Sequence, residues 1–237
     1  MRYETLGTTG MKVSQLCLGT NVMGAYVDDE ASAKIINAFI NSGGNFIDTA
    51  NAYNEGKSEA AIGKAVKGLR HDVIIATKVN MPMGEGPNDR GSSRSHIMHA
   101  VEQSLRRLQT DYIDLYILHH WDNETRLEES LRAMDDLVRQ GKIRYVGVSN
   151  FSAWQVTKSL WVADSMGLDP VRSVQVQYSY LHRDPELELL PMAEAHGLSV
   201  APFWVFSAGM FAGRYQRGEE PSTGTRFKER PSYLQRL

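Results

Sequence analysis

Short apolar runs along the chain alternate with longer stretches whose apolar residues recur every three or four positions. A hairpin is predicted over residues 3–13, with turns at Gly7 and Thr9-Gly10, and a first strand over 13–18 that ends in Gly19-Thr20. Helical spacing follows over 31–41, with Ile35, Ala38 and Phe39 on one face and Gly43-Gly44 as the stop. Strands are predicted at 45–50, 73–79 and 113–118. Between them lie helices at 58–69, with Ile62, Ala65, Val66 and Leu69 aligned, and at 93–108, with Ile97, Val101, Leu105 and Leu108 aligned. Thr125 and Glu128 have the spacing of a capping box for a helix lined by Leu127, Leu131, Met134 and Val138 and closed by Gly141. A strand at 143–149, a second box at Ser152 and Gln155 opening a helix to Met166, and a strand at 173–178 come next. A helix from Pro185 to His196, closed by Gly197, leads to a strand at 198–203, and the tail 233–237 has helical character.

Strict alternation of strand and helix implies parallel strands joined by helical crossovers. A doubly wound dinucleotide fold should carry a Gly-rich turn after its first strand, and Gly19-Thr20-Asn21-Val22-Met23-Gly24 does not match one. Polar residues instead close several successive strands, as at the C-terminal rim of a barrel. The expected fold is α/β, a (β/α)8 TIM barrel forming a single domain over 1–237 with no linker.

Composition narrows the partners. Net charge is -2, so no polyanion-binding surface and no nucleic-acid partner are expected. The single Cys17 has no internal disulfide partner, the opening residues do not read as a signal peptide, and no apolar run approaches the ~20 residues of a membrane span. These features place the protein in the cytoplasm, away from membranes.

The candidate chemistry lies at the strand ends. Asp48 closes one apolar run, Lys78 the next and His119 a third, with Tyr53 in the loop after the first. A structural ion pair would account for Asp48 and Lys78 alone, but four such groups at one rim point to a site. A free phenol titrates near pH ~10, and a neighbouring ammonium lowers it. With Asp48 orienting Lys78 and His119 donating a hydrogen bond, the set suits protonation of an oxygen becoming alkoxide, as in carbonyl reduction. None of the four supplies hydride, so a cofactor is required. Gly56-Lys57-Ser58 is not a phosphate-binding loop, because Asn51 stands where the first Gly is needed. His119, His120 and Asp122 are not expected to hold a metal, since adjacent strand residues face opposite sides.

These residues fall in motifs that resemble the aldo-keto reductases: Phe46-Ile47-Asp48-Thr49-Ala50 with Tyr53 and Gly56-Lys57-Ser58-Glu59; Ala76-Thr77-Lys78; Asp114-Leu115-Tyr116 with Leu118-His119; and Gly141-Lys142-Ile143-Arg144 with Gly147-Val148-Ser149-Asn150-Phe151. The resemblance implies an NADPH-dependent reductase, with NADH as an alternative, acting on a small aldehyde, ketone or alcohol. It makes Asp48, Tyr53, Lys78 and His119 a catalytic tetrad with Tyr53 as proton donor. It assigns Gly19, Thr20, Asn21, Asp48, Ser149, Asn150, Gln175 and Phe203 to the cofactor, together with the loop of Trp204, Phe206 and Ser207 and the basic Arg214 and Arg226. Trp204-Val205-Phe206 departs from the family's Ser-Pro-Leu. Trp121, Trp204 and Met23 are candidates for an apolar substrate pocket. Potassium-channel β subunits, which share the fold, are the non-enzymatic alternative; they lack the tetrad histidine that His119 provides. Relative to the family the chain stops before an eighth strand, so the 237 residues are expected to be part of a longer chain or to be completed by another.

Overall fold

The computed structural model describes residues 1–236, and the side chains of 1–234. An antiparallel hairpin, β1 (Tyr3–Thr5) and β2 (Lys12–Ser14), precedes seven parallel strands. These are β3 (Cys17–Gly19), β4 (Phe46–Asp48), β5 (Ile74–Val79), β6 (Ile113–Leu118), β7 (Ile143–Ser149), β8 (Val171–Gln177) and β9 (Ser199–Phe203), paired in chain order. Among the described residues no eighth strand joins β9 to β3. The architecture is that of an incomplete (β/α)8 barrel. Helices α1 (Asp29–Asn41), α2 (Lys57–Ala65), α3 (Arg94–Leu108), α4 (Leu127–Arg139), α5 (Ala153–Met166) and α6 (Leu189–Ala195) form the crossovers. A four-residue α7 (Arg226–Glu229) and a 3-10 turn (Pro231–Arg236) follow β9; Leu237, the end of the expected helical tail, lies outside the described residues.

The sheet carries two apolar layers, as its period of two requires. Ile47, Ile75, Tyr116, Val146, Val148 and Val174 face the helices in one large core. Leu6, Val13, Phe46, Ala76, Leu115 and Ile117 form a smaller cluster on the inner face, where the hairpin closes the bottom. Gly7 there donates its N–H to Ser199 Oγ at 2.6 Å, with φ of 53°. A Cβ at Gly7 would stand 2.4 Å from the Arg172 carbonyl oxygen, so only glycine permits this approach.

Several elements depart from the sequence reading. The run 13–18 is two strands: Val13 belongs to the hairpin, and the barrel strand begins at Cys17. In α1 the buried residues are Ser32 and Ile36, while Ile35 is 42% exposed and Ala38 is also exposed. Ser32 was invisible to an apolar pattern. Thr125 does not cap α4; its hydroxyl donates to Asp122 Oδ2 at 2.8 Å and Arg126 holds the cap position. The Ser152–Gln155 box on α5 does form. α2 ends at Ala65, and the expected 185–196 helix is a 3-10 turn (Asp184–Glu186) followed by α6.

Gly63, buried on α2, lets that helix close on the end of α3. A Cβ there would lie 2.6 Å from the Arg107 carbonyl oxygen and 2.7 Å from the Leu108 carbonyl carbon. Alanine improves helix propensity by about 1 kcal/mol, whereas overpacking against backbone costs about 1–3 kcal/mol. Gly63→Ala is therefore expected to lower stability, read as a smaller midpoint in urea unfolding; an unchanged or higher midpoint would refute the close approach.

Candidate active site

Parallel register and a period of two put Asp48, Lys78, Ser149, Gln175 and Phe203 on the inner face, at the C-terminal ends of their strands. Lys78 is fully buried, and its Nζ donates to Asp48 Oδ1 at 2.6 Å, to the Thr49 carbonyl at 2.6 Å and to Tyr53 Oη at 3.4 Å. Asp48 accepts a second bond at Oδ2 from Gln175 Nε2, at 3.0 Å. The Tyr53 and His119 rings meet edge-on, with centroids 5.9 Å apart. All four expected tetrad residues are thus brought together.

The loop that delivers Tyr53 is held by backbone geometry. Asn54 and Glu55 have φ of 51° and 58°, and Asn54 Nδ2 donates to the carbonyls of Asn21 and Met23 at 3.2 and 2.8 Å. Beneath it Ser58 Oγ lies 2.9 Å from Thr49 Oγ1, Thr20 Oγ1 and the Thr20 carbonyl, joining the loops after β3 and β4 to the start of α2 in one buried network. Glu59, also buried, accepts from Thr77 Oγ1 at 2.5 Å and from Arg107 Nε at 2.7 Å. The Gly-Lys-Ser-Glu motif therefore acts structurally; its signal was in the sequence, but its partners, Thr20, Thr49, Thr77 and Arg107, come from four other segments.

A chain of amides joins the tetrad to the opposite side of the rim. Ser149 Oγ lies 3.3 Å from Gln175 Oε1, and Asn150 Nδ2 donates to Ser149 Oγ at 3.1 Å and to the His119 carbonyl at 3.0 Å. Asn150 has φ of 58°. The loop after β9 is similarly turned, with positive φ at Trp204, Ser207, Ala208 and Gly209. Thr20 and Ser207 are buried, Gly19, Asn150 and Phe206 are exposed, and Asn21, Phe203 and Trp204 are half-buried. Arg226 Nη2 reaches Asn21 Oδ1 at 3.5 Å, tying the end of the chain to the loop after β3, whereas Arg214 projects from the surface.

The electrostatics revise one expectation. Burial pushes the Tyr53 phenol above its ordinary value, and Asp48 adds to this; Lys78 pulls it down without reversing the sign. Burial works against the Lys78 ammonium, but Asp48 and Tyr53 outweigh it and hold that group above its usual range. Burial, with Lys78 and His120, lowers His119 to about 3, so the imidazole is neutral. Its Nδ1 is buried without a protein partner.

Two further readings change. His119 and His120 do not face opposite sides: β6 ends at Leu118, strand alternation stops there, and the rings stack with centroids 5.0 Å apart. Trp121 does not line the site. It packs with Phe151, Trp154 and the cluster of α4 and α5 on the outer face, and Met23 belongs to the large core.

The aldo/keto reductase family model matches residues 15–235. An uncharacterised oxidoreductase, YrpG, of Bacillus subtilis is 38% identical over all of the chain. A probable voltage-gated potassium channel subunit beta of Arabidopsis thaliana is 36% identical over 94% of it. An aryl-alcohol dehydrogenase [NADP(+)] of Phanerodontia chrysosporium is 35% identical over 84% of it. The chain spans 75%, 69% and 57% of these relatives' own lengths. With its barrel strands in parallel order and the match covering nearly every residue, the chain belongs to the aldo/keto reductase family.

Proposed function

We propose that the protein is an NAD(P)H-dependent oxidoreductase that reduces the carbonyl of an aldehyde or ketone, with Tyr53 as proton donor and NADPH as the preferred cofactor. The observation that carries this reading is the Tyr53 hydroxyl 3.4 Å from a buried Lys78 ammonium, edge-on to a neutral His119.

The residues present fit the cofactor. Ser149, Asn150 and Gln175 offer hydroxyl and amide groups beside the tetrad, as a carboxamide requires. Left-handed residues in the 204–209 loop give the kind of turned backbone that cradles anions, and Arg226 and Arg214 supply positive charge along it. When bound, the nicotinamide supplies the hydride. Tyr53 gives its proton to the carbonyl oxygen as that oxygen becomes alkoxide: the phenol O–H breaks, the alcohol O–H forms, and Lys78 stabilises the phenolate left behind. His119, neutral, donates a hydrogen bond to the same oxygen without competing as an acid. Asp48 and Gln175 hold the lysine in place. The NADP(+) in the name of the aryl-alcohol dehydrogenase relative supports the choice of NADPH. The channel-subunit relative favours a second reading, a cofactor-binding regulator without turnover; following NADPH absorbance with a panel of aldehydes and ketones separates the two.

Removing the proton donor while keeping the ring, Tyr53→Phe, is expected to cut turnover by about 10²-fold or more. Cofactor binding, read by quenching of tryptophan fluorescence, should change little; near-normal turnover would sink the assigned role.

The charge of Lys78 lowers the phenol, so its loss raises it. Reduction needs the protonated phenol and declines as pH rises through its pKa. Lys78→Met should therefore lower the rate and move that declining limb to higher pH. Superimposable pH profiles of variant and parent would rule out the tuning.

His119 titrates near 6.5 unfolded and at about 3 folded. Its neutral form thus contributes stability that is full above pH 6.5 and is lost as pH falls through about 3. Unfolding midpoints in urea should fall over that window, less steeply in His119→Asn, and reduction rates should show no limb near 6.5. An equal slope in both proteins would contradict the buried neutral ring.

A further inference from the structure

Arg230 follows α7 directly and stands at the rim without an acid. Its guanidinium carbon lies 4.7 Å from the centroid of Tyr26 and 5.6 Å from that of Tyr233, and Nη1 donates to Tyr233 Oη at 2.7 Å. Tyr26 comes from the loop after β3, and Tyr233 from the 3-10 turn after α7. The Tyr233 ring meets Trp204, in the loop after β9, edge-on at 5.3 Å. Tyr233 is also close enough to Tyr53 to act on its phenol electrostatically. One cation and three aromatic rings therefore bridge the first and last barrel loops on the side of the catalytic tyrosine.

Among the described residues the cation has no partner of opposite charge, and its polar contacts are the two tyrosines. Some arginines elsewhere are matched to acids, as Arg70 to Asp114 and Arg107 to Glu59, whereas the nearby Arg226 reaches the neutral Asn21. Lys78, buried deeper in the site, is taken by Asp48. The two tyrosines take part of the guanidinium's donor fork, and the N–H groups that remain suit a carboxylate better than a neutral group.

We propose that Arg230 recognises a carboxylate on the substrate, so that the site selects an aromatic aldehyde bearing an anionic group away from its carbonyl. The ring of such a molecule would lie against Trp204 and Tyr233 while its aldehyde faces Tyr53. The proposal rests on the oxidoreductase reading for its substrate, but its test does not depend on turnover.

The test is binding of 4-(hydroxymethyl)benzoate and of benzyl alcohol to the protein with NADP+ present, read by tryptophan fluorescence. The parent should favour the carboxylate by about 10-fold or more. Arg230→Gln should bring the two near parity, and Arg230→Lys, a point charge without the fork, should keep part of the preference. Far-UV circular dichroism checks that each variant is folded. Equal binding in the parent, or a preference that survives in Arg230→Gln, overturns the proposal. A variant that keeps the preference but loses discrimination of NADP+ from NAD+ assigns Arg230 to the cofactor phosphate, and the substrate assignment falls. Turnover of 4-carboxybenzaldehyde and benzaldehyde is followed alongside. A carboxylate preference in binding with neither aldehyde reduced would leave the anion site standing and remove the oxidoreductase reading.

Discussion

A fully buried ammonium is the constraint on which the rim depends. Removing a lysine charge from water costs several kcal/mol unless its donors are met. Lys78 meets the cost with a carboxylate, a backbone carbonyl and a phenol. Those acceptors belong to β4, to the residue after it and to the loop beyond, so satisfying one side chain fixes three pieces of backbone. Asp48 in turn takes a bond from Gln175, 127 residues away, which ties β4 to β8 across the inner face. The position of the phenol is a by-product of keeping a charge solvated inside the protein.

Much of this was legible beforehand, because strand alternation and helix spacing are strong signals. β6 and β7 match their expected bounds residue for residue, and α3 and α5 end where the pattern does. The misses have separate causes. Ile35 and Ala38 satisfy helical spacing, yet α1 turns Ile36 and the small polar Ser32 inward, and the Ser32 hydroxyl, donating to the Val27 carbonyl at 3.3 Å, is satisfied there. Thr125 has the chemistry of a cap, but Asp122 competes for its hydroxyl.

The site divides in the same way. Asp48, Lys78 and His119 could be read from strand ends, since each closes an apolar run, and Tyr53 from the loop after the first of them. Arg230 and Tyr233 gave no such signal: they lie in an irregular segment, and only the fold brings them to Tyr26 and Trp204. The direction of the Tyr53 shift was equally out of reach. A neighbouring lysine is visible in a sequence, but the degree of burial that outweighs it is not.

The hairpin at the base bears on how the chain is made. Gly7 bonds to Ser199, 192 residues downstream, and Thr8 accepts from Arg172, 164 residues downstream. Neither contact exists until β8 and β9 have left the ribosome, which at about 5–20 residues per second takes on the order of ten to forty seconds. Through that interval Leu6 and Val13 have no complete inner face to enter. Such long closures slow folding and leave early segments open to other encounters. The hairpin is thus among the last elements to dock, and the nascent chain depends on its helices, not its hairpin, to hold the strands that follow it together.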